Sequence, residues 1–199
     1  MNQKIKPKIL GKKIYHFPLV DSTNKVAFFL AERGEEEGTV VLADRQLRGE
    51  GCRGKKWFSP IGGLWFSLIL RPPCLPESTS VYTLMGAVAV TKAIKEISSS
   101  CPVYISLPND VYVKGKKIGG VMCKTKLRGE KLEFAILGIG VNLYIKRFPS
   151  SLKDIATSLL LETSQVVSPS FFLDLVLDIL EEEYFNINLG FSANVKGER

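Results

Sequence analysis

Apolar residues recur along this chain in two rhythms, and their alternation predicts its elements. Short apolar or β-branched runs bounded by Gly, Pro, Asp or Asn predict strands over 14–19, 39–43, 64–70, 103–107, 111–113, 118–123 and 132–141. Helical spacing predicts a helix through Arg33 with Ala27, Phe28 and Leu30 inward, a long one over 79–98, and an apolar one over 169–185 with its acidic residues late. Asp21, Ser22, Thr23 and Asn24 are candidate caps for the first helix, and 156–159 begins a short helical piece. Between these lie a charged turn at 35–38, a rigid proline-rich connection at 72–76, a turn at 114–117 and a basic, solvated loop over 124–131; the last residues are expected to fray. No repeat or long linker divides the chain, so the prediction is one α+β domain over 1–199.

One stretch organises the rest. From Asp44 to Pro72 the chain carries glycines at 49, 51 and 54, the cations Arg48, Arg53, Lys55 and Lys56, the tryptophan Trp57, a turn at 59–63 and the apolar run 64–70. Glycines let backbone approach a ligand closely, and the cations predict that the ligand is anionic. Three glycines and several like charges also predict a loop that is mobile until a ligand orders it. The spacing fits G-x-G-x-x-G, yet Gly54 leads into Lys-Lys-Trp-Phe-Ser-Pro, which opens no helix, so a dinucleotide fingerprint is rejected. Gly138-Ile139-Gly140-Val141-Asn142 ends another strand with glycines that permit close approach of another backbone or a ligand, sheet packing being their simplest use.

Composition removes several function classes. With 199 residues, 45% hydrophobic and 24% charged, the chain can bury a core of its own. The net charge of +7 is spread over scattered lysines, which argues against nucleic acid as the partner. The four cysteines and single histidine show no metal-ligand spacing, so reduced thiols are expected. No apolar run is long enough to span a membrane and residues 1–11 lack a signal core, so the reading is cytoplasmic, with a homodimer left open.

Six segments in order resemble the catalytic domain of biotin protein ligases: Asp21-Ser22-Thr23-Asn24; Ala43-Asp44-Arg45-Gln46; the glycine loop from Gly49 through Lys55-Lys56-Trp57 to Ser67; Pro108-Asn109-Asp110 with Lys117-Ile118-Gly119-Gly120; Gly138 to Asn142; and Ala156-Thr157-Ser158-Leu159. The resemblance implies a mixed β-sheet backed by helices, related to class II aminoacyl-tRNA synthetases and lipoate ligases. It implies biotin and ATP with Mg²⁺ as substrates, biotinyl-5′-adenylate as intermediate, and a biotin carboxyl carrier protein as acceptor. By resemblance Ser22, Thr23, Asn24, Gln46, Gly49 and Gly51 bind biotin, while Trp57, Asn109, Asp110, Lys117 and Asn142 line the nucleotide side. The family's C-terminal β domain and N-terminal DNA-binding extension are expected to be absent, and with them DNA as a partner.

Three positions depart from the pattern. The family's loop reads G-R-G-R-x-G, and Glu50 and Cys52 stand at its arginines; its K-W-P-N-D reads Ser106-Leu107-Pro108-Asn109-Asp110, so no catalytic lysine is assigned. At roughly 3 kcal/mol for each lost oxyanion donor, such losses predict weakened adenylation. The alternative expectation is therefore a weakly active or non-catalytic paralogue that binds biotin, nucleotide or carrier.

Overall fold

The computed structural model describes residues 8–72 and 80–196. Most of the connection over 72–76 therefore lies outside the described residues, as does Cys74. Among the described residues eleven elements, seven strands and four helices, carry the fold, and two further strands form a ribbon. In chain order the strands are β1 (Ile14–Phe17), β2 (Val40–Ala43), β3 (Gly49–Glu50), β4 (Lys56–Trp57), β5 (Gly63–Leu70), β6 (Val103–Ser106), β7 (Asp110–Val113), β8 (Lys116–Arg128) and β9 (Lys131–Asn142). The helices are α1 (Thr23–Glu32), α2 (Ser80–Ile97), α3 (Leu159–Thr163) and α4 (Pro169–Lys196). Seven strands make one mixed sheet in the order β1-β2-β5-β9-β8-β7-β6, with β1 parallel to β2 and its other pairs antiparallel. β3 and β4 pair apart from it.

Strand alternation sorts side chains onto two faces. On β5, Leu64, Phe66, Leu68 and Leu70 enter the larger core under α2 and α4, while Ile69 joins a smaller cluster with Ala27 and Ala31 of α1. β9 repeats this: Ala135, Leu137, Ile139 and Val141 face the large core, whereas Phe134 and Ile136 meet the α1 side. Both faces of β5 are thus covered, which is why it reads as a continuous apolar run; each such Leu, Ile or Phe contributes about 1.5–3 kcal/mol on burial.

Every strand expected for the sheet is present, and three local expectations are corrected. The 124–131 stretch is not a solvated loop, because β8 continues as strand to Arg128 and turns only at Gly129-Glu130. Its basic side chains find carboxylates across the sheet, Lys126 on Glu32 and Arg128 on Glu133, which sequence alone could not pair. Thr157 and Ser158 precede α3 rather than join it: Ser158 is its N-cap and accepts from the Leu161 amide. Ser22 occupies the N-cap position of α1 yet makes no capping hydrogen bond.

Candidate active site

The site face of the sheet is the one covered by α1 and the β3–β4 ribbon. There β8 and β9 present glycine where the opposite face presents core residues. Gly120 pairs with Gly140, and Gly138 pairs with Met122. A Cβ on Gly140 would lie 2.6 Å from Trp57 Nε1, one on Gly120 3.0 Å from the same indole, and one on Gly138 2.3 Å from Asn24 Oδ1. The floor is therefore bare because Trp57 and Asn24 occupy the space that side chains would fill. Sheet packing, the simplest use of these glycines, is replaced by a site-forming one.

Above this floor lies a cleft of about 400 Å³ including its open mouth. One end is a chain of hydrogen bonds. Gln46 Oε1 accepts from the Thr23 amide at 2.8 Å and from the Thr23 hydroxyl at 3.1 Å, while Gln46 Nε2 donates to Ser59 Oγ at 2.8 Å. Ser67 on β5 donates to Thr23 Oγ1 and Asn24 Oδ1, and Asn24 Nδ2 meets Met122 Sδ. The Ser22 hydroxyl is buried with no partner, as is Trp57 Nε1. Buried polar groups are normally hydrogen-bonded, so these two are exceptions in the wall around the cleft.

The other end is built from charge and an aromatic. Lys117 Nζ lies 2.7 Å from Asp110 Oδ1 and 5.1 Å from the centroid of Trp57, whose ring also meets Trp65 edge-on at 6.4 Å. Asn109 Nδ2 donates to Asp110 Oδ1 and to the Val121 carbonyl, and touches Cys52 Sγ at 3.5 Å. Burial, and then the Asp110 carboxylate, push the Cys52 thiol up, so it stays neutral and donates weakly to the Val121 carbonyl. Glu50 turns to Lys124 at 2.5 Å and to Lys25 at 3.9 Å.

Of the residues expected from sequence, Thr23, Asn24, Gln46, Gly51, Trp57, Asn109, Asp110 and Lys117 line this one cleft. Ser22, Gly49 and Asn142 do not. Gly49 packs against Ser59, Trp57 and Gln46 beneath the ribbon, with no room for a Cβ. Asn142 is buried and donates to the Thr157 carbonyl, so it anchors the 143–158 loop to the end of β9. Ser106 is exposed at the end of β6, opposite Asp110. Gly138 and Gly140, expected to permit close approach, line the cleft together with Gly120 and Met122, and Ser67 lies beneath it; the motifs assign no role to these last three. A serine inside the apolar run 64–70 was the signal for the last.

The model of the biotin/lipoate A/B protein ligase family matches residues 16–142, which hold the whole cleft. The chain belongs to that family. Among its relatives, the bifunctional ligase/repressor BirA of Bacillus subtilis is 34% identical over 183 residues, which cover 90% of this chain and 56% of that protein. The biotin--[acetyl-CoA-carboxylase] ligase of Paracoccus denitrificans is 32% identical over 160 residues, covering 78% and 66%. The chain thus spans little more than half the length of the first of these relatives. The biotin protein ligase of Aquifex aeolicus, solved in complex with biotin and ATP, superposes with a TM-score of 0.77 at 34% identity, covering 89% of this chain and 72% of that one. The helix-backed mixed sheet is the ligase fold, as the resemblance implied. Among the described residues no helix is long and apolar enough to cross a membrane.

Proposed function

We propose that this chain is an ATP-dependent biotin protein ligase domain. It activates biotin as biotinyl-5′-adenylate and passes the biotinyl group to a lysine of a biotin carboxyl carrier protein, in the cytoplasm. The observation that supports this reading is one cleft that joins a buried hydrogen-bonding end, matched to a polar heterocycle, to an aromatic, charged end, matched to a nucleotide.

The ureido ring of biotin needs matched donors and acceptors, which Thr23 and Asn24 in the cleft lining supply, with Gln46 holding the wall in place. Adenine takes the aromatic face of Trp57. A carboxylate oxygen of biotin attacks the α-phosphorus, the bond to the bridging oxygen breaks, and pyrophosphate leaves. In the second step the lysine amine attacks the acyl carbon, AMP departs with the former carboxylate oxygen, and an amide forms with loss of a proton.

Among the cleft-lining residues Lys117 is the one cation, and Asp110 keeps it in place at the nucleotide end. Among the described residues no three Asp, Glu, His or Cys side chains converge into a cage for a divalent ion. Asp110 and Asn109 would hold Mg²⁺ at the nucleotide end, where the ion would supply charge neutralisation for the transferring group.

A second reading, a paralogue that binds biotin or nucleotide without joining them, is favoured by one observation. The cleft lining holds two carboxylates, Glu50 and Asp110, against that one ammonium. The deciding experiment incubates the protein with biotin, ATP-Mg²⁺ and a carrier domain, weighs the carrier, and follows pyrophosphate release. A carrier heavier by one biotinyl group supports the ligase; binding of biotin without pyrophosphate or carrier product supports the paralogue.

A further inference from the structure

We propose that Glu50 and Lys124 are positioning residues, an ion pair that straps the glycine loop across the cleft before any ligand arrives. The proposal concerns the site just read as a biotin and nucleotide cleft. Glu50 sits on β3, in the ribbon that overhangs the cleft, and Lys124 lies on β8, two residues beyond Met122 of the wall. Their charged atoms are 2.5 Å apart, and Lys25 on α1 approaches the same carboxylate at 3.9 Å. The next loop residue but one makes a second tie to β8, through Cys52 and the Val121 carbonyl at 3.6 Å. Within the loop the Gly51 amide donates to the Lys55 carbonyl at 2.7 Å. Both residues that depart from the arginine pattern thus reach across to the sheet.

The sign of the charge at position 50 follows from its partner rather than from the ligand. A carboxylate in a cleft for anions reads as repulsion when its neighbours are unknown. With an ammonium at 2.5 Å and another at 3.9 Å it is a neutralised tie point. The pair is partly exposed, with side-chain exposures of 43% for Lys124 and 24% for Glu50. It therefore ranks with pairs that tune a local opening rather than global stability. A loop that is open part of the time lowers apparent ligand affinity by the fraction closed, so loosening the strap raises KM and spares kcat.

The test uses hydrogen exchange over residues 49–57 in the ligand-free protein, with biotin KM and kcat measured alongside. Glu50→Gln, Glu50→Arg and Lys124→Glu are expected each to speed exchange, on the order of two- to five-fold for a pair of this exposure. Each is expected to raise biotin KM by a similar factor with kcat little moved. The double exchange E50R/K124E restores most of the protection, the remainder being lost to Lys25, which then faces Arg rather than Glu. Raising salt from 0.05 to 0.5 M speeds exchange in the parent and leaves E50Q unchanged. Slow exchange that persists in E50Q, or a double variant as open as the singles, overturns the strap. So does an E50Q that binds biotin more tightly at unchanged loop protection, the mark of a simple repelling anion. Loss of carrier labelling in every protein including the parent counts against the ligase reading alone, because the exchange readout needs no catalysis.

Discussion

At the scale of single residues, the site depends on atoms that are missing. Gly138 and Gly140 lie two apart on β9 and clear two different partners, Asn24 and Trp57, so adding one methyl to each should act at different ends of the cleft. Gly138→Ala is expected to weaken biotin binding with ATP binding nearly intact, and Gly140→Ala to do the reverse. Each should cost about 1–3 kcal/mol, the range for forcing an extra carbon into a packed place, or about five- to 150-fold in Kd. Titration calorimetry with each ligand checks the split. Ser106 is the converse case, a small exposed residue where the family pattern places a lysine. Ser106→Lys adds a cation close to Asp110, its partner in register, and should raise the rate of adenylate formation by on the order of 10²-fold. Pyrophosphate release in single turnover measures it, and an unchanged rate would show that Lys117 already meets the need.

At the scale of elements, charged turns prove to be joints. The run Glu35-Glu36-Glu37 reads as a charged turn, and in it Glu35 takes Lys13 and the Tyr15 hydroxyl, and those two partners hold its carboxyl below the ordinary range. Glu37 accepts from the Arg71 amide and from the Tyr184 hydroxyl of α4. Arg71, at the end of β5, donates from its guanidinium to the carbonyls of Ala31, Glu35 and Glu133, tying the end of α1, the turn after it and the start of β9. Arg71→Met keeps much of the apolar stem and removes these donors. It should destabilise the protein by roughly 2–4 kcal/mol, since several partly buried carbonyls lose their partner at once. Urea unfolding measures this, and a loss under 0.5 kcal/mol, the range of an ordinary surface change, would show the joint to be ornamental.

At the scale of the whole molecule, two weak acids, the buried Tyr184 and the half-buried Cys123, bear on alkaline stability. Burial against the larger core, followed by the Glu37 carboxylate, raises the Tyr184 phenol well above its ordinary range, and burial pushes the Cys123 thiol up to about 12. Both groups hold their protons to higher pH folded than unfolded, so their contribution is complete below the unfolded values and is lost as pH rises through the folded ones. Stability should therefore fall from about pH 9 upward, where an unfolded cysteine and then tyrosine would ionise. Urea midpoints at pH 8 and pH 10.5 test this, with Tyr184→Phe expected to flatten the decline. What the sequence determined by itself was the order of strands and helices, because periodicity reports which faces are buried, and eight of the residues that meet in the cleft, because their motifs match those of the family. Its reach ended at pairing. Nothing local in Lys124 or Arg128 says which opposite charge lies across the sheet, so the end of a strand reads as a basic loop. The bare floor of Gly120, Gly138 and Gly140 likewise has meaning only once the ribbon folds over and brings Trp57 down onto it. Those decisions belong to the tertiary structure, because they depend on distances between residues far apart in the chain.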